Sequence, residues 1–210
     1  MENFKFTNNW FNDAAKHQWE KLISQIKPKK ILEIGSYEGA STCYLIEKLA
    51  QENPIEIHCI DAWSIEMGEE SDYKHYGSNI DMSAVESRFR KNTKLAIETA
   101  SKKVDFFVHK GFSDDQLVKL LSSNKKNYFD FIYVDGSHLG PDVLCDAVLG
   151  FRLLKINGVM AFDDYLWPSA SKSLTRVPKL AIDSFINLYS EKINIFNAPL
   201  YQIYIKKISD

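Results

Sequence analysis

Short apolar runs alternate with amphipathic stretches along most of this chain. The runs are rich in Ile, Val and Phe, which favour strands. The first and fourth of them are almost entirely apolar, as expected for strands that are covered on both faces. The predicted strands are Ile31–Ile34, Ile55–Ile60, Asp105–His109, Phe129–Val134, Val159–Phe162, Ile193–Phe196 and Tyr201–Ile205.

Between these runs, apolar residues recur every three or four positions, which predicts helices. The predicted helices are Ala40–Gln51, Ser83–Ala100, Asp114–Leu121, Pro141–Leu154 and Lys179–Tyr189. The alternation predicts an α/β fold, a Rossmann-like doubly wound sheet that is mostly parallel and has helices on both faces. The last two of its seven strands, joined by a short turn at Asn197–Pro199, are expected to form an antiparallel hairpin.

The chain shows no internal linker, so we expect a single domain over residues 1–210. Residues 1–28 are predicted to form an N-terminal helical cap, in which Trp10, Phe11 and Trp19 could cover a pocket or form a homodimer contact. Residues 62–79 are polar, aromatic and without period, which is typical of a lid loop. Aromatic rings suited to stacking on an acceptor fall mainly in this loop, at Trp63, Tyr73, His75 and Tyr76, and again at Trp167.

Composition excludes some classes of function. The 210 residues are 45% hydrophobic and carry a formal net charge of -2, so a broad basic surface for nucleic acid is not expected. The N-terminal residues lack a basic region followed by an apolar core, so we expect that they are not a signal peptide. Since no apolar run is long enough to span a bilayer, we expect no membrane partner. Three cysteines without CxxC pairing indicate a reducing compartment, and we therefore expect a soluble cytoplasmic protein.

The stretch ILEIGSYEG raises the first chemical question, because a buried strand ends in Glu33 and is followed by Gly35 and Gly39. Glycine after a strand allows a tight turn and a close approach of ligand to backbone. The dinucleotide fingerprint would need glycine where Tyr37 and Ala40 stand. The loop therefore suits a nucleoside better than a pyrophosphate, which disfavours a nicotinamide-dependent oxidoreductase.

The second strand ends in IHCIDAW, where Asp61 could accept hydrogen bonds from both hydroxyls of a ribose. Several chemical groups follow strands in the same way, and parallel sheets bind ligands at that edge. The alternative is that each acid only caps a helix or solvates a turn. The strand-end positions are Glu33, Gly35, Asp61, His109, Lys110, Gly111 and Asp135.

Asp135, Asp163 and Asp164 follow the fourth and fifth strands, whose tips are expected to be neighbours. Three converging carboxylates repel one another unless a cation lies among them, and Mg²⁺ prefers such oxygen ligands. His138 stands three residues after Asp135 and could take a proton from a substrate hydroxyl. The alternatives are acids that cap loops and a histidine that packs at a helix start.

ILEIGSYEGAST followed by IHCIDAW resembles motifs I and II of class I S-adenosylmethionine-dependent methyltransferases. KGFSDDQL, FDFIYVDGSHLGPDVLCDAVLGFRLLKINGVMAFDDY and PKLAIDSF resemble the methyltransferase 24 type, the sugar and small-molecule O-methyltransferase branch, so the likeness covers nearly the whole chain. By matching position, the resemblance implies that the cofactor's methionine part, ribose and adenine are lined by Glu33, Gly35, Ser36, Gly39, Asp61, Trp63, Gly111, Phe112, Ser113 and Asp135.

The resemblance implies methyl transfer from S-adenosylmethionine to a hydroxyl of a small molecule, with a sugar or glycan as the expected acceptor. Its metal-dependent members pair an aspartate trio with a histidine, which assigns Mg²⁺ to Asp135, Asp163 and Asp164, and catalysis to His138 and Asp135. A catechol or phenol acceptor and a non-catalytic nucleoside-binding subunit remain open. A nucleic-acid methyltransferase is disfavoured because DGSH stands where a D/N-P-P-Y/F turn is common.

Overall fold

The structure is a computed structural model that describes residues 3–64, 80–167, 173–196 and 201–210. Most of the expected lid, residues 65–79 with Tyr73, His75 and Tyr76, lies outside the described residues, as does the predicted turn at Asn197–Pro199. Among the described residues, none of the helices has the length and apolar character needed to cross a membrane.

The described residues form seven strands and seven α-helices. The strands are β1 Lys30–Ile34, β2 Ile55–Asp61, β3 Val104–Lys110, β4 Phe129–Val134, β5 Leu154–Phe162, β6 Ile193–Ile195 and β7 Ile203–Lys207. The helices are α1 Trp10–Asp13, α2 Lys16–Ile26, α3 Ala40–Leu49, α4 Met82–Glu98, α5 Ser113–Ser122, α6 Gly140–Leu153 and α7 Pro178–Leu188. Short 3₁₀ turns lie at Leu174–Arg176 and Ser190–Lys192.

All seven strands belong to one sheet, in the order β3-β2-β1-β4-β5-β7-β6. β1 pairs in parallel with both β2 and β4, so Ile34 lies beside Ile60 on one side and Val134 on the other. β7 is antiparallel to both β5 and β6. The predicted fold class and the C-terminal antiparallel hairpin are confirmed. The chain reverses its direction of winding between β1 and β4, where doubly wound sheets open a crevice at their carboxyl ends.

Two apolar cores cover the two faces of the sheet. One side packs α2, α3 and α4 around Trp19, Leu45 and Phe89, while the other packs α5, α6 and α7 around residues such as Leu117 and Phe185. β1 and β4 lie between the cores and are buried along almost their whole length. Their apolar sequences follow from this position, since neither strand has a face toward water.

The predicted boundaries lie within two residues of those in the structure, except at the start of the fifth strand. The fifth strand begins at Leu154, directly after α6, and not at Val159. Asn157 and Gly158 lie inside this strand, where the pairing with β4 shifts register and Asn157 has a φ of 69°. The last strand begins at Ile203, two residues later than predicted. It pairs with β5, and Ile203 lies opposite Phe162, the last residue of β5, so the pairing cannot extend to earlier residues.

Candidate active site

The loop between β1 and α3 has the sequence Gly35-Ser36-Tyr37-Glu38-Gly39 and is called the glycine loop below. Gly35 and Gly39 have φ values of 84° and 82°, and Tyr37 also has a left-handed φ of 47°. A Cβ on Gly35 would lie 2.0 Å from the carbonyl oxygen of Asp135. Only glycine fits there, because the loop crosses directly against the residue that follows β4.

Glu33 lies beneath the glycine loop and is fully buried. Its carboxylate accepts hydrogen bonds from the hydroxyls of Ser36, Ser41 and Thr42. Burial raises the pKa of Glu33, and these hydroxyl donors act in the opposite direction. Its place behind the loop means that Glu33 ties the loop to the first turn of α3 and lines neither of the two cavities described next.

Asp61, at the end of β2, holds the loop from the other side. Its Oδ2 accepts the backbone N–H groups of Ser36 at 3.0 Å and Tyr37 at 2.8 Å, and its Oδ1 accepts that of Trp63 at 2.6 Å. Burial raises the pKa of this carboxyl, and the three amide donors counteract the rise. Asp61 therefore shapes the glycine loop while its remaining acceptor capacity faces a cavity.

A narrow cavity of about 110 Å³ opens at the carboxyl ends of the first four strands. Most of the residues predicted for the cofactor converge there. The predicted residues on its wall are Gly35, Asp61, Gly111, Phe112, Ser113 and Asp135.

Three predicted cofactor residues lie elsewhere: Glu33, Gly39 and Trp63 line neither cavity. The Trp63 side chain is only 5% exposed, packs against Phe89 and donates its indole N–H to the carbonyl of Tyr37 at 3.0 Å. Gly39 backs against the same Phe89 ring. These residues support the loop from the core side.

A larger cavity of about 590 Å³ adjoins the narrow one. The two share Gly35, Tyr37, Asp135 and Gly136, so the glycine loop and the β4 exit form the boundary between them. Ser36, the remaining predicted cofactor residue, lines the larger cavity, together with His138, Asp163, Asp164 and Trp167.

The rim cluster consists of Asp135, Asp163, Asp164 and His138. Burial, followed by the charges of Asp163 and Asp164, raises the pKa of Asp135 well above its ordinary value. Burial and then the charge of Asp164 raise the pKa of Asp163 to about 6. The three carboxylates therefore interact electrostatically, as expected because the tips of β4 and β5 are neighbours in the sheet.

His138 is oriented by two partners within this cluster. Its Nε2 lies 3.0 Å from Asp164 Oδ2, and its ring stacks on Trp167 with centroids 4.2 Å apart and planes 14° apart. Asp164 has a left-handed φ of 55°, and its own N–H donates to Asp163 Oδ1 at 2.8 Å. The turn after β5 thus presents the Asp164 carboxylate to the imidazole.

The predicted metal ligands Asp135, Asp163 and Asp164 all line the larger cavity. Asp163 Oδ2 accepts hydrogen bonds from Tyr133 and from Gln202 Nε2, and its Oδ1 accepts the Asp164 N–H, so both oxygens already have protein donors. Among residues 3–64, 80–167, 173–196 and 201–210, no group of three or more His, Cys, Asp or Glu side chains has a metal-binding arrangement. The donor chemistry nevertheless suits a hard cation, since three mutually repelling carboxylates converge.

A family model described as a methyltransferase domain matches residues 32–165, which include the glycine loop and the whole rim cluster. The chain belongs to this methyltransferase family, the methyltransferase 24 type. No curated protein sequence is significantly similar to the methyltransferase.

Solved structures show the same fold. An O-methyltransferase from Bacillus cereus in complex with SAH is 16% identical, with a TM-score of 0.64 over 99% of this chain and 84% of that one. The O-methyltransferase TomG from Streptomyces achromogenes, involved in tomaymycin synthesis and in complex with SAM, is 13% identical, with a TM-score of 0.59 over 91% of this chain and 78% of that one. At this identity the likeness concerns the fold.

Two residues of the candidate site were not predicted from sequence. Tyr133 lines the larger cavity from the buried end of β4, and Gln202 reaches Asp163 from the turn before β7. Tyr204 in turn donates to Gln202 Oε1. The available signal was the Gln-x-Tyr spacing of Gln202 and Tyr204 at the start of the last strand, which places two polar side chains on one face, because buried polar side chains require partners.

Proposed function

We propose that this methyltransferase transfers the methyl group of S-adenosylmethionine to a hydroxyl of a neutral small molecule, with a sugar or glycan as the first candidate acceptor. The family match supports methyl transfer. The two structural neighbours support this methyl donor, since one is in complex with SAH and the other with SAM, and both are O-methyltransferases.

In this proposal the nucleoside occupies the narrow cavity, with its ribose on Asp61 and its adenine beside Phe112 and Ser113. The methionine part crosses the boundary formed by Gly35 and Asp135, which directs the sulfonium methyl group toward the larger cavity. The supporting observation is that both cavities meet at the glycine loop. A ligand that spans them would pass along the carboxyl ends of β1, β2 and β4.

The acceptor occupies the larger cavity beside His138. The observation that carries the proposal is the imidazole held on this cavity by Asp164 at 3.0 Å. The carboxylate at this distance favours the tautomer in which His138 Nε2 carries the proton and donates to Asp164, and in that tautomer Nδ1 is the basic nitrogen. His138 is therefore the proposed general base.

The reaction is a displacement at carbon. The acceptor oxygen attacks the methyl carbon, the carbon–sulfur bond breaks, S-adenosylhomocysteine leaves, and the hydroxyl proton goes to His138 Nδ1. The protein contributes mainly alignment of the two reactants. Ionised Asp164 then stabilises the imidazolium that forms, as a carboxylate beside histidine does in other active sites.

We also propose that Mg²⁺ binds at Asp135, Asp163 and Asp164. Support comes from the converging acids and from the pKa values of Asp135 and Asp163, which mutual repulsion raises. A bound Mg²⁺ supplies positive charge that makes a nearby hydroxyl more acidic. Asp163 would have to share oxygens that now accept hydrogen bonds from Tyr133 and Gln202.

The neutral acceptor is inferred from the wall of the larger cavity. Its described lining contains several acids and aromatic rings but no lysine or arginine. An acceptor that carries phosphate or carboxylate would meet repulsion there, whereas a sugar can stack on an aromatic ring and donate hydrogen bonds to acids. Catechols belong in the same test as the second acceptor class. A cytoplasmic location and a homodimer contact through the N-terminal helices stay predictions.

Calorimetry provides the first test: the protein should bind S-adenosylmethionine but not NAD, in parallel runs with Mg²⁺ and with EDTA. A panel of sugars, glycosides and catechols then follows, with released S-adenosylhomocysteine as the readout. Binding of the methyl donor without turnover on any acceptor would favour the nucleoside-binding subunit. No binding of the methyl donor would reject the proposal.

A further inference from the structure

The N-terminal segment, residues 3–13, forms one wall of the larger cavity. Its lining residues come from a stretch in which Phe4 and Phe6 pack against the apolar core. Trp10 is 45% exposed, and its ring lies against that of Tyr37 in the glycine loop, with centroids 5.2 Å apart and planes tilted by 36°. The residues of this segment on the cavity wall are Phe6, Asn8, Trp10, Phe11 and Asp13.

Glu38 joins this wall to the glycine loop. Its side chain is only 2% exposed, although it carries a charge. Oε2 accepts the backbone N–H of Thr7 at 2.7 Å, and Oε1 accepts the Thr7 hydroxyl at 2.7 Å and the guanidinium Nε of Arg88. A buried carboxylate needs such donors, so the loop, the segment and α4 are held together at one point.

Asn92, one turn further along α4, makes a second connection. Its Oδ1 accepts the Lys5 N–H at 2.9 Å, and its Nδ2 donates to the Lys5 carbonyl and the Glu38 carbonyl, each at 3.0 Å. The side chain is 3% exposed, so these bonds are shielded from water. The backbone of the segment is therefore fixed by two side chains, one of which belongs to the loop that borders both cavities.

We propose that Glu38 is a positioning residue that couples the two cavities: a cofactor that orders the glycine loop also fixes the N-terminal segment as the acceptor wall. This inference rests on the proposed function, because it takes the larger cavity as the acceptor site. Glu38 acts through Thr7 and Arg88. The N-terminal segment supplies the acceptor contacts, with Trp10 and Asn8 at the cavity.

Hydrogen exchange of two backbone amides tests the connection directly. In the described contacts, the Thr7 N–H donates only to the Glu38 carboxylate, and the Lys5 N–H donates only to the Asn92 side chain. In the wild type, S-adenosylhomocysteine should slow exchange at Thr7. In E38Q, exchange at Thr7 without ligand should be about tenfold faster, the effect of weakening a charge-assisted hydrogen bond, and the ligand should no longer slow it.

The matched control is E98Q, which removes an acid from the same helix but from an exposed pair with Lys94. E98Q should behave as the wild type in every measurement. Equal exchange at Thr7 in E38Q and E98Q, or unchanged protection by the ligand in E38Q, would overturn the proposal. If S-adenosylhomocysteine does not bind the wild type, the proposed function fails, while the ligand-free comparison still decides whether Glu38 holds the segment.

Kinetics separate positioning from general stability. E38Q should raise the acceptor KM about tenfold, again the scale of one charge-assisted hydrogen bond, with kcat and S-adenosylmethionine affinity changed less than about threefold. T7A removes only the hydroxyl donor on the exposed segment, and it should raise the same KM by a smaller factor. Because Thr7 lies on the surface, T7A serves if E38Q does not fold. A fall of about tenfold in the kcat of E38Q, with the acceptor KM unchanged, would contradict the proposal.

Discussion

Two partly buried clusters of titratable side chains lie on the same sheet, and they differ in charge balance. The rim cluster contains three acids and one histidine beside the larger cavity. The second cluster lies on one face of β2 and β3 and lines neither cavity. We call it the strand-face cluster, and it consists of Glu56, His58, His109, Lys125 and Tyr128.

The strand-face cluster is balanced internally. Glu56 accepts from His58 Nε2 at 2.8 Å, and also from Tyr128 and Lys125. His58 Nδ1 then accepts the N–H of His109 Nε2 at 2.8 Å. Burial raises the pKa of Glu56, but the donors outweigh it and leave the pKa below its ordinary value. Each acceptor thus has a donor, and burial lowers the pKa of both histidines.

The rim cluster lacks this balance, because its acids raise the pKa of one another. Both clusters contain strongly shifted groups, so a shifted pKa alone does not mark an active site. An excess of one charge beside an open cavity is the distinguishing feature. Such an excess is what a cationic methyl donor or a divalent ion would relieve.

The largest expected difference between the clusters concerns turnover. H138A should lower kcat by about 10²–10⁴-fold, the usual contribution of a general base, with S-adenosylhomocysteine affinity unchanged. H58Q should retain turnover, since His58 lies outside both cavities. Single-turnover release of S-adenosylhomocysteine with an acceptor from the panel measures both. Full activity in H138A would assign the base elsewhere.

The second difference concerns stability against pH. Burial is the main cause that lowers the pKa of His58 to about 4 from 6.5. In the unfolded chain, His58 therefore binds a proton as the pH falls below 6.5. In the folded chain, it binds this proton only near pH 4. This contributes about 3 kcal/mol of stability above pH 6.5, which is lost as the pH falls through that window.

Urea unfolding across this pH range checks the effect. H58Q should show a flatter loss of stability with acid than the wild type. H17Q, a substitution at an exposed histidine of α2, is the matched control and should keep the wild-type slope. An identical slope in H58Q would show that His58 titrates in the folded state as it does in the unfolded one.

Mg²⁺ should stabilise the folded protein through the rim cluster and not through the strand-face cluster. At a free ion concentration 100-fold above Kd, binding adds about 3 kcal/mol to the free energy of unfolding. We expect this gain in the wild type and in H58Q, and its loss in D163N and D164N. Unfolding in Mg²⁺ and in EDTA measures it. No gain in the wild type would reject the metal proposal and leave the role of His138 intact.

The smallest expected effect concerns the ligand affinity that depends on Asp61, which lies at the same edge of the sheet as the rim cluster. D61A should weaken S-adenosylhomocysteine binding by about 1–3 kcal/mol, the range for a lost charge-assisted hydrogen bond. Because Asp61 also holds the amides of Ser36 and Tyr37, calorimetry should include 2′-deoxy-S-adenosylhomocysteine. Fully additive losses would assign the effect to the loop and not to a ribose contact.

The strand-end positions of the site could be read from sequence. Gly35, Asp61, Asp135 and Asp163 follow apolar runs, and parallel strands bring their carboxyl ends to one edge. The partners across the chain could not be read in this way. Glu38 meets Thr7 and Arg88, which lie 31 and 50 positions away, and no local pattern encodes such a contact.

Trp63 shows the same limit within a single loop. Sequence placed it after a strand and near the expected nucleoside, where an aromatic ring suits a ligand. The tertiary structure turned the indole toward Phe89 and the core, since burial of a large apolar surface outweighs exposure at a cavity.

The sequence alone determined the order of strands and helices, the glycine loop and the acids at the strand ends, because hydrophobic period and glycine conformation are local properties. The tertiary structure decided which polar groups face one another: Glu33 beneath the loop, Asp164 against His138, and Glu38 against the N-terminal segment. Those pairings depend on three-dimensional packing, where each buried charge must find its donors from distant parts of the chain.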